Sequence, residues 1–336
     1  MAERRLVRLE DIASHECLCW AFWRAARGKR YRPEAMAFAA NLEPELASLR
    51  RRILALEVPL GPLRAFQIHD PKLRTIHAPA FRDRVFHHAL MAHIGPVLER
   101  ALVADTFACR VGKGTLAAVL RAQANSRRYA WWAKIDIRSY FASIDHEILK
   151  GLLVRRFKGN GALALCERVI DSFEASPGRG LPIGALTSQH FANLYLSPLD
   201  RFLLERLRLP AMVRYMDDVV GWTQDRARAQ DALLASQEWV ASQLRLAVKQ
   251  AWQPQRSERG LTFCGFRVLP TRLELSRRRR IRYRRARSTW EASHALGLLG
   301  DLALQAGYAS ALAITAHAQA AAWRRKQLAN WPAPEV

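Results

Sequence analysis

The stretch Tyr215-Met216-Asp217-Asp218 places two adjacent carboxylates between two short apolar runs, Ala211-Met212-Val213-Arg214-Tyr215 before it and Val219-Val220-Gly221-Trp222 after it. Both runs are strand-like in composition, and a polar pair between them predicts the turn of a hairpin. Successive strand side chains point to opposite faces, so a turn is needed to hold both acids at the mouth of one cleft. Paired carboxylates suit a hard divalent cation, because Mg²⁺ takes oxygen ligands and is commonly shared between one or two carboxylates and substrate phosphates. Taken alone, the pair reads first as an acidic turn without chemistry, and the rest of the chain is what reverses that reading.

The chain has 336 residues, half of them hydrophobic, which is enough for two or three subdomains around buried cores. Its 53 Lys and Arg against 30 Asp and Glu give a net charge of +23, a balance that favours a polyanionic partner. No apolar run approaches the roughly 18 residues that span a bilayer, and Met1–Asp11 lacks the apolar stretch of a signal peptide. Nucleic acid in the cytoplasm is therefore the expected partner and place, with no membrane role. The five cysteines, Cys17, Cys19, Cys109, Cys166 and Cys264, are scattered and form no Cys-x-x-Cys, so reduced, mostly buried thiols are expected.

Upstream, residues 1 to about 55 read as helices: an apolar-periodic stretch from Leu9 through Trp23, a basic break at Arg27-Gly28-Lys29-Arg30-Tyr31-Arg32-Pro33, and a second helix from about Pro33 to Leu56. The basic break reads as a solvated loop with the option of touching phosphates. Phe66-Gln67-Ile68 and Leu73-Arg74-Thr75-Ile76 predict a hairpin around His69-Asp70-Pro71-Lys72. It sets Lys72 and Arg74 on one face, which suits a triphosphate as well as it suits a solvated strand. A helix starts at Ala80. The adjacent His87 and His88 lack the i, i+4 spacing of a helical zinc site. Asp105–Thr115 is a Gly-rich basic loop carrying Lys113, without Walker spacing.

Trp131-Trp132-Ala133-Lys134-Ile135-Asp136-Ile137 predicts a strongly apolar strand carrying one acid. A buried unpaired carboxylate costs several kcal/mol, so Asp136 belongs at the strand end or on a cation. Ser139 is a candidate helix cap. Residues 147 to 176 read as helical. The loop Pro177–Gly184 leads to a helix from Ala185 that continues toward Leu207. Residues 224 to 244 form an amphipathic helix, Leu244–Lys249 a strand, and Leu261–Val268 a strand with a central Gly. The expected fold is α+β, an antiparallel sheet with helices on one face. Arg277–Arg287 holds eight Arg in eleven residues and leads into an Ala- and Leu-rich helical segment. It is expected to lie on a nucleic-acid backbone through Arg277, Arg278, Arg279, Arg280, Arg282 and Arg284.

One acid on a strand, two more on a hairpin about 80 residues later and cations on an earlier hairpin form the layout of a two-metal nucleotidyl transferase. Asp136 and Asp217 would hold two Mg²⁺, with Asp218 completing or supporting the site.

At these residues the chain resembles the reverse transcriptases. Tyr215–Asp218 is similar to their palm hairpin signature, and Lys134-Ile135-Asp136 with Phe141 five residues on is similar to their first palm motif. The resemblance runs over residues 10 to 290. It implies a right-hand architecture: fingers and N-terminal helices in 1–130, palm in 131–270 with a helical insertion at 147–185, and an Arg-rich helical thumb in 271–336. It implies a metal set of Asp136, Ile137, Asp217 and Asp218, with Asp136, Asp217 and Asp218 catalytic. Lys72 and Arg74 match the triphosphate clamp, and Phe141 the aromatic gate against a ribose 2′-hydroxyl. Leu246–Lys249 and Phe263–Phe266 resemble later palm motifs and the primer grip. Ile183, Gly184 and Lys249 join the implied nucleotide-binding set.

A narrower resemblance lies in Ile183-Gly184-Ala185-Leu186-Thr187-Ser188-Gln189, where most reverse transcriptases carry Gln-Gly-x-x-x-Ser-Pro. This form, with the 70–88 segment, Asp105–Gly114 and the compact length, is similar to the reverse transcriptases of diversity-generating retroelements. That implies error-prone cDNA, mutated opposite adenine, copied from a template-repeat RNA on a primer with dNTPs, and a small basic oligomeric accessory variability protein. A group II intron enzyme, expected to carry a maturase segment beyond the thumb, a phage-defence enzyme and a non-enzymatic RNA-binding scaffold are the alternatives. No RNase H-like segment is read after the thumb.

Overall fold

The chain is represented by a computed structural model that describes residues 4–69 and 73–334. Its first hairpin pairs β1 (Arg64–His69) with β2 (Leu73–Ala78), with Ile68 opposite Arg74. The central sheet is antiparallel and four-stranded. It consists of β3 (Trp131–Ile137), β4 (Ala211–Tyr215), β5 (Asp218–Thr223) and β6 (Val248–Arg256), in the order β4-β5-β3-β6. The register sets Asp136 directly opposite Asp218.

Strand alternation sorts the two faces. Ala133, Ile135, Ile137, Met212 and Val219 enter one core with the helices Phe81–Glu99, Leu186–Tyr195 and Arg226–Leu244. Trp132, Val213, Val220 and Trp222 enter a second core with helix Thr115–Arg128 and the strands β7 (Leu261–Phe263) and β8 (Phe266–Val268). Lys134, Asp136 and Asp218 share the parity of this second face. Trp222 is fully buried and donates its indole N–H to Ser126 Oγ at 3.1 Å, so its one polar atom is satisfied. A third strand, β9 (Leu273–Leu275), completes a small sheet β9-β8-β7. Three helices follow, Arg277–Ala295, Asp301–Ala313 and Ala321–Asn330.

Several elements differ from their sequence reading for identifiable reasons. The helix expected over Pro33–Leu56 is two, Pro33–Ala40 and Leu42–Leu54. Pro44 lacks an N–H and would clash with the carbonyl of Ala40 in a continuous helix. The Leu9–Trp23 stretch likewise splits into Leu9–Ile12 and His15–Ala26, the second capped by Ser14 accepting from Cys17 N. Residues 147–176 hold two helices, His146–Val154 and Gly161–Asp171, around the short strand Phe157–Lys158. Gly159, at φ +75°, reverses the chain between them. Ser139 does not cap: it sits at φ +45° ahead of a four-residue helical turn, and its hydroxyl makes no cap bond. Asp145 caps the next helix, accepting from Ile148 N at 3.2 Å. The strand read at Leu244–Lys249 starts only at Val248, because Arg245 closes the preceding helix in the left-handed region. It runs on to Arg256 through Pro254, which an edge strand tolerates. Leu261–Val268 is a hairpin, since Cys264 and Gly265 both take positive φ as a two-residue type I′ turn requires.

Candidate active site at the acidic end of the sheet

Tyr215 pairs with Asp218, so the turn between β4 and β5 consists of Met216 and Asp217. Met216 takes φ +57°, a left-handed conformation that a non-glycine residue holds only when its surroundings enforce it. Asp218 opens β5 opposite Asp136, and Asp217 stands at the adjoining tip. Asp217 is pushed up to about 6, first by burial and then by the like charge of Asp218 and Asp136, while the Arg74 guanidinium acts in the opposite sense. The Arg74 guanidinium on β2 is thus within electrostatic reach of the Asp217 carboxyl. Lys134 Nζ lies 2.8 Å from Asp218 Oδ1, and Lys249 Nζ lies 3.7 Å from Asp136 Oδ2. Lys249 occupies the irregularity in the β3–β6 register between Asp136 and Ile137.

Among the described residues no three His, Cys, Asp or Glu converge as a ready-made metal group. The donor chemistry nevertheless fits a hard divalent ion. Three carboxylates share the end of one sheet, and burial raises the cost of leaving Asp217 charged without a counter-cation. The two lysines now partly neutralise Asp136 and Asp218.

A fully buried arginine supports the turn from below. Arg214, on the opposite strand face to Asp218, donates through Nε and Nη2 to the two Asp200 carboxylate oxygens, both at 2.7 Å. It also donates to Asn193 Oδ1 at 3.2 Å, to Asn193 O at 3.0 Å and to Met216 O at 3.1 Å. The guanidinium therefore joins helix Leu186–Tyr195, helix Ser197–Arg201 and the strained turn. Asp200 accepts a further bond from Thr106 Oγ1 at 3.1 Å, and Phe107 N donates to Arg214 O at 3.0 Å, so the Asp105–Thr115 loop is stitched to β4. The sequence reading passed over Arg214, Asp200 and Asn193. The available signal was a charged residue inside the apolar run Ala211–Tyr215, which a buried strand accepts only with a partner.

The other expected residues sort as follows. Arg74 is exposed on β2 and electrostatically coupled to Asp217, while Lys72 lies outside the described residues. Phe141 is partly buried one residue past Tyr140, and its carbonyl accepts from Leu181 N at 2.8 Å. Ile183 is half-buried and its carbonyl accepts from His77 N at 2.7 Å, which ties the loop to the end of β2. Gly184 is at φ +123°, and a Cβ there would stand 2.8 Å from Ile76 Cγ2 and 3.1 Å from His77 O. The lack of a side chain is what lets loop and hairpin meet.

The Lys113 ammonium folds back on its own loop, donating to Ala104 O and lying 5.0 Å from the centre of the Phe107 ring. The Arg-rich helix is not a uniform cationic face. Arg279 packs on Phe266 at 4.0 Å, and Arg287 is buried against Glu291 and the Trp331 carbonyl. Arg284 donates to Gln327, whereas Arg277, Arg278 and Arg282 are exposed.

An antiparallel sheet bearing acids at a strand end and on the adjoining turn, backed by helices and faced by a basic hairpin, is the right-hand polymerase fold. Within that class the chain belongs to the reverse transcriptase family: residues 68–258 match the family described as Reverse transcriptase (RNA-dependent DNA polymerase). Over 182 residues it is 26% identical to Protein YkfC of Escherichia coli, covering 50% of this chain and 47% of that protein. It is 27% identical over 135 residues to an uncharacterized 91 kDa protein in the cob intron of Schizosaccharomyces pombe, covering 38% of this chain and 16% of that protein. The aligned region thus spans about half or less of these relatives. Two telomerase structures are similar at low identity. Apo telomerase of Candida tropicalis, truncated from its C-terminal domain, has a TM-score of 0.46 at 13% identity, covering 67% of this chain and 58% of that chain. Candida albicans telomerase, in complex with a fragment of telomeric RNA, has a TM-score of 0.48 at 10% identity, covering 70% and 51%. No helix among the described residues is long and apolar enough to cross a membrane.

Proposed function

We propose that the protein is an RNA-directed DNA polymerase that makes cDNA with errors concentrated opposite template adenines. The observation that carries the polymerase reading is Asp136 set directly opposite Asp218 across paired strands, with Asp217 on the adjoining turn. Asp136, Asp217 and Asp218, with the Ile137 carbonyl beside them, would hold two Mg²⁺. Bound there, the ions would activate a primer 3′-hydroxyl and stabilise the pyrophosphate leaving group. The chain's own residues do the rest. Arg74, with Lys72, grips the triphosphate oxygens. Lys134 and Lys249 hold the carboxylates in place, and Lys249 can exchange Asp136 for a phosphate oxygen. Phe141 lies past the end of β3, where its ring would fill the space of a 2′-hydroxyl. On this reading residues 1–130 supply fingers, 131–270 the palm and 271–336 the thumb, with exposed Arg277, Arg278 and Arg282 along the backbone of the template duplex.

The mutagenic reading rests on Ile183. An apolar branched side chain stands beside the β2 hairpin, where a polar amide would hydrogen-bond the base or sugar of the incoming nucleotide. Loss of that bond lowers discrimination, because rejecting a wrong partner depends on polar groups it would leave unpaired. A template-repeat RNA and a small basic oligomeric accessory variability protein complete this reading. The test is primer extension on an RNA template with Mg²⁺ and all four dNTPs, with sequencing of the cDNA and Asp217→Asn as control. Errors concentrated at template adenines, and lost with Ile183→Gln, are the expected result. Faithful cDNA would instead favour the second reading, an intron-type enzyme, which the likeness to a protein in a cob intron supports. Absence of Mg²⁺-dependent product, also with the template RNA and accessory protein present, would overturn the polymerase assignment.

A further inference from the structure

Helix His15–Ala26 packs its apolar stripe, Leu18, Ala21, Phe22 and Ala25, into the main core. Its outer face carries two large rings. Trp20 and Trp23 are one turn apart and 46% and 64% exposed. The turn that follows is ordered, with Lys29 N donating to Ala26 O at 2.8 Å and Arg32 N to Lys29 O at 3.0 Å. It presents Tyr31, which is 85% exposed. Gly28, at φ +70° with no atom near its absent Cβ, makes the reversal.

Cations interleave with these rings. Arg24 lies 5.5 Å from the centre of the Trp20 ring, and Arg27, Lys29, Arg30 and Arg32 are all exposed. Residues 24–32 contain no acid. None of these five cations forms an ion pair among the described residues, although Glu34 just beyond is engaged by Arg84. Edge contacts of Trp20 with His88 and of Trp23 with Phe22 bury these two rings only in part, Tyr31 stands almost free, and a solubilising role explains only the charges. Exposed aromatics among unpaired cations are the composition of a platform on which unpaired bases stack while their phosphates are neutralised.

We propose that Trp20, Trp23 and Tyr31, with the cations of residues 24–32, form a second nucleic-acid contact outside the palm and thumb, for single-stranded RNA. Single strands fit better than duplex because stacking needs splayed bases. A membrane surface fits less well, because the helix has already spent its apolar face on the core and has no leucine stripe to insert.

The platform is tested by binding without dNTPs, so the result does not depend on catalysis. A short fluorescent single-stranded RNA carrying 4-thiouridine is bound to the full chain, crosslinked by light and digested with trypsin. Crosslinks are expected in the peptides 9–24 and 31–50, which hold the three rings. Trp23→Ala with Tyr31→Ala is expected to weaken binding about tenfold or more at unchanged melting temperature. Replacing Arg27, Lys29, Arg30 and Arg32 by Gln is expected to flatten log Kd against log salt by about 0.7 per lost phosphate contact. Crosslinks confined to other peptides, or unchanged affinity and salt slope, would overturn the proposal. So would binding to phosphatidylserine vesicles that is lost in the ring variant while RNA binding is kept.

Discussion

Asp200→Asn separates what the buried Arg214 node does for stability from what it does for the acidic turn. Both side chains are fully buried. The substitution removes the carboxylate charge and leaves a guanidinium in a medium that cannot solvate it. Breaking one side of such a pair costs about 3–5 kcal/mol. At roughly 2–4 °C per kcal/mol, the unfolding midpoint should drop by about 10 °C. Replacing both partners, as Arg214→Met with Asp200→Leu, removes the orphan charge and should recover most of that loss. Polymerase activity should not recover with it. The double variant still lacks the 3.1 Å bond from Arg214 to Met216 O, and among the described residues no other hydrogen bond joins that carbonyl to helix Leu186–Tyr195. A charged hydrogen bond of about 1.5–3 kcal/mol then no longer holds a left-handed residue beside Asp217. Primer extension should stay at least tenfold below the parent at a temperature where the double variant is fully folded. Thermal unfolding by circular dichroism and single-nucleotide incorporation measure the two quantities. Recovery of both together would show that Arg214 matters only for folding, and a loss of under about 1 kcal/mol in Asp200→Asn would refute the account of the buried pair.

Arg74→Ala should raise KM for dNTP by about 10- to 100-fold, the worth of a charged phosphate bond, with kcat less affected, and an unchanged KM would remove Arg74 from the clamp. Gly184→Ala forces a Cβ to 2.8 Å from Ile76 Cγ2 at φ +123°, so it should cost about 1–3 kcal/mol and weaken nucleotide use through the displaced β2 hairpin. Wild-type stability together with wild-type KM would contradict that link. His87 is held neutral by burial, at about 4 against a usual value near 6.5. The unfolded chain therefore binds the extra proton between those values, and stability should fall as pH drops from about 6.5 toward 4, by up to about 1.4 kcal/mol per pH unit. Denaturant midpoints across that range should decline less steeply in His87→Asn, and identical slopes would discard the assignment.

The parts of the fold that could be read early were those where one local rule suffices. β3 declares itself by apolar density, and Asp136 within it is conspicuous because an acid there needs a reason. A hairpin follows from two apolar runs too short to be anything but paired strands, but its turn, expected on the Asp217-Asp218 pair, falls one residue earlier on Met216-Asp217, which leaves Asp218 inside β5. Where rules compete, the reading slipped. β6 hides behind Pro254, which is forbidden in a central strand and permitted here only because β6 is an edge, a fact of topology. Leu261–Val268 reads as one strand with a central Gly, but Cys264 takes positive φ beside Gly265 and makes the pair a turn. Arg277, Arg278, Arg279, Arg280, Arg282 and Arg284 are expected along one nucleic-acid backbone, but a helix distributes them around its axis, which turns Arg279 onto the Phe266 ring.

The node around Arg214 is the instructive omission, because its members lie on separate elements and each is ordinary alone. Asp200 reads as a helix-surface acid, Asn193 as a helix interior residue and Thr106 as a loop residue. Only the folded chain brings them onto one guanidinium. Asp136 and Asp218, the proposed metal ligands, lie on one side of the sheet, toward the proposed substrate. The charge that fixes their turn faces the other, where no substrate can come. Strand alternation makes that division possible, since Arg214 and Asp218 differ in parity across the same hairpin. A site that must be exposed to bind phosphates is thereby anchored from a fully buried side. That anchoring is why changes at Asp200 are expected to reach the Met216-Asp217 turn proposed to serve catalysis.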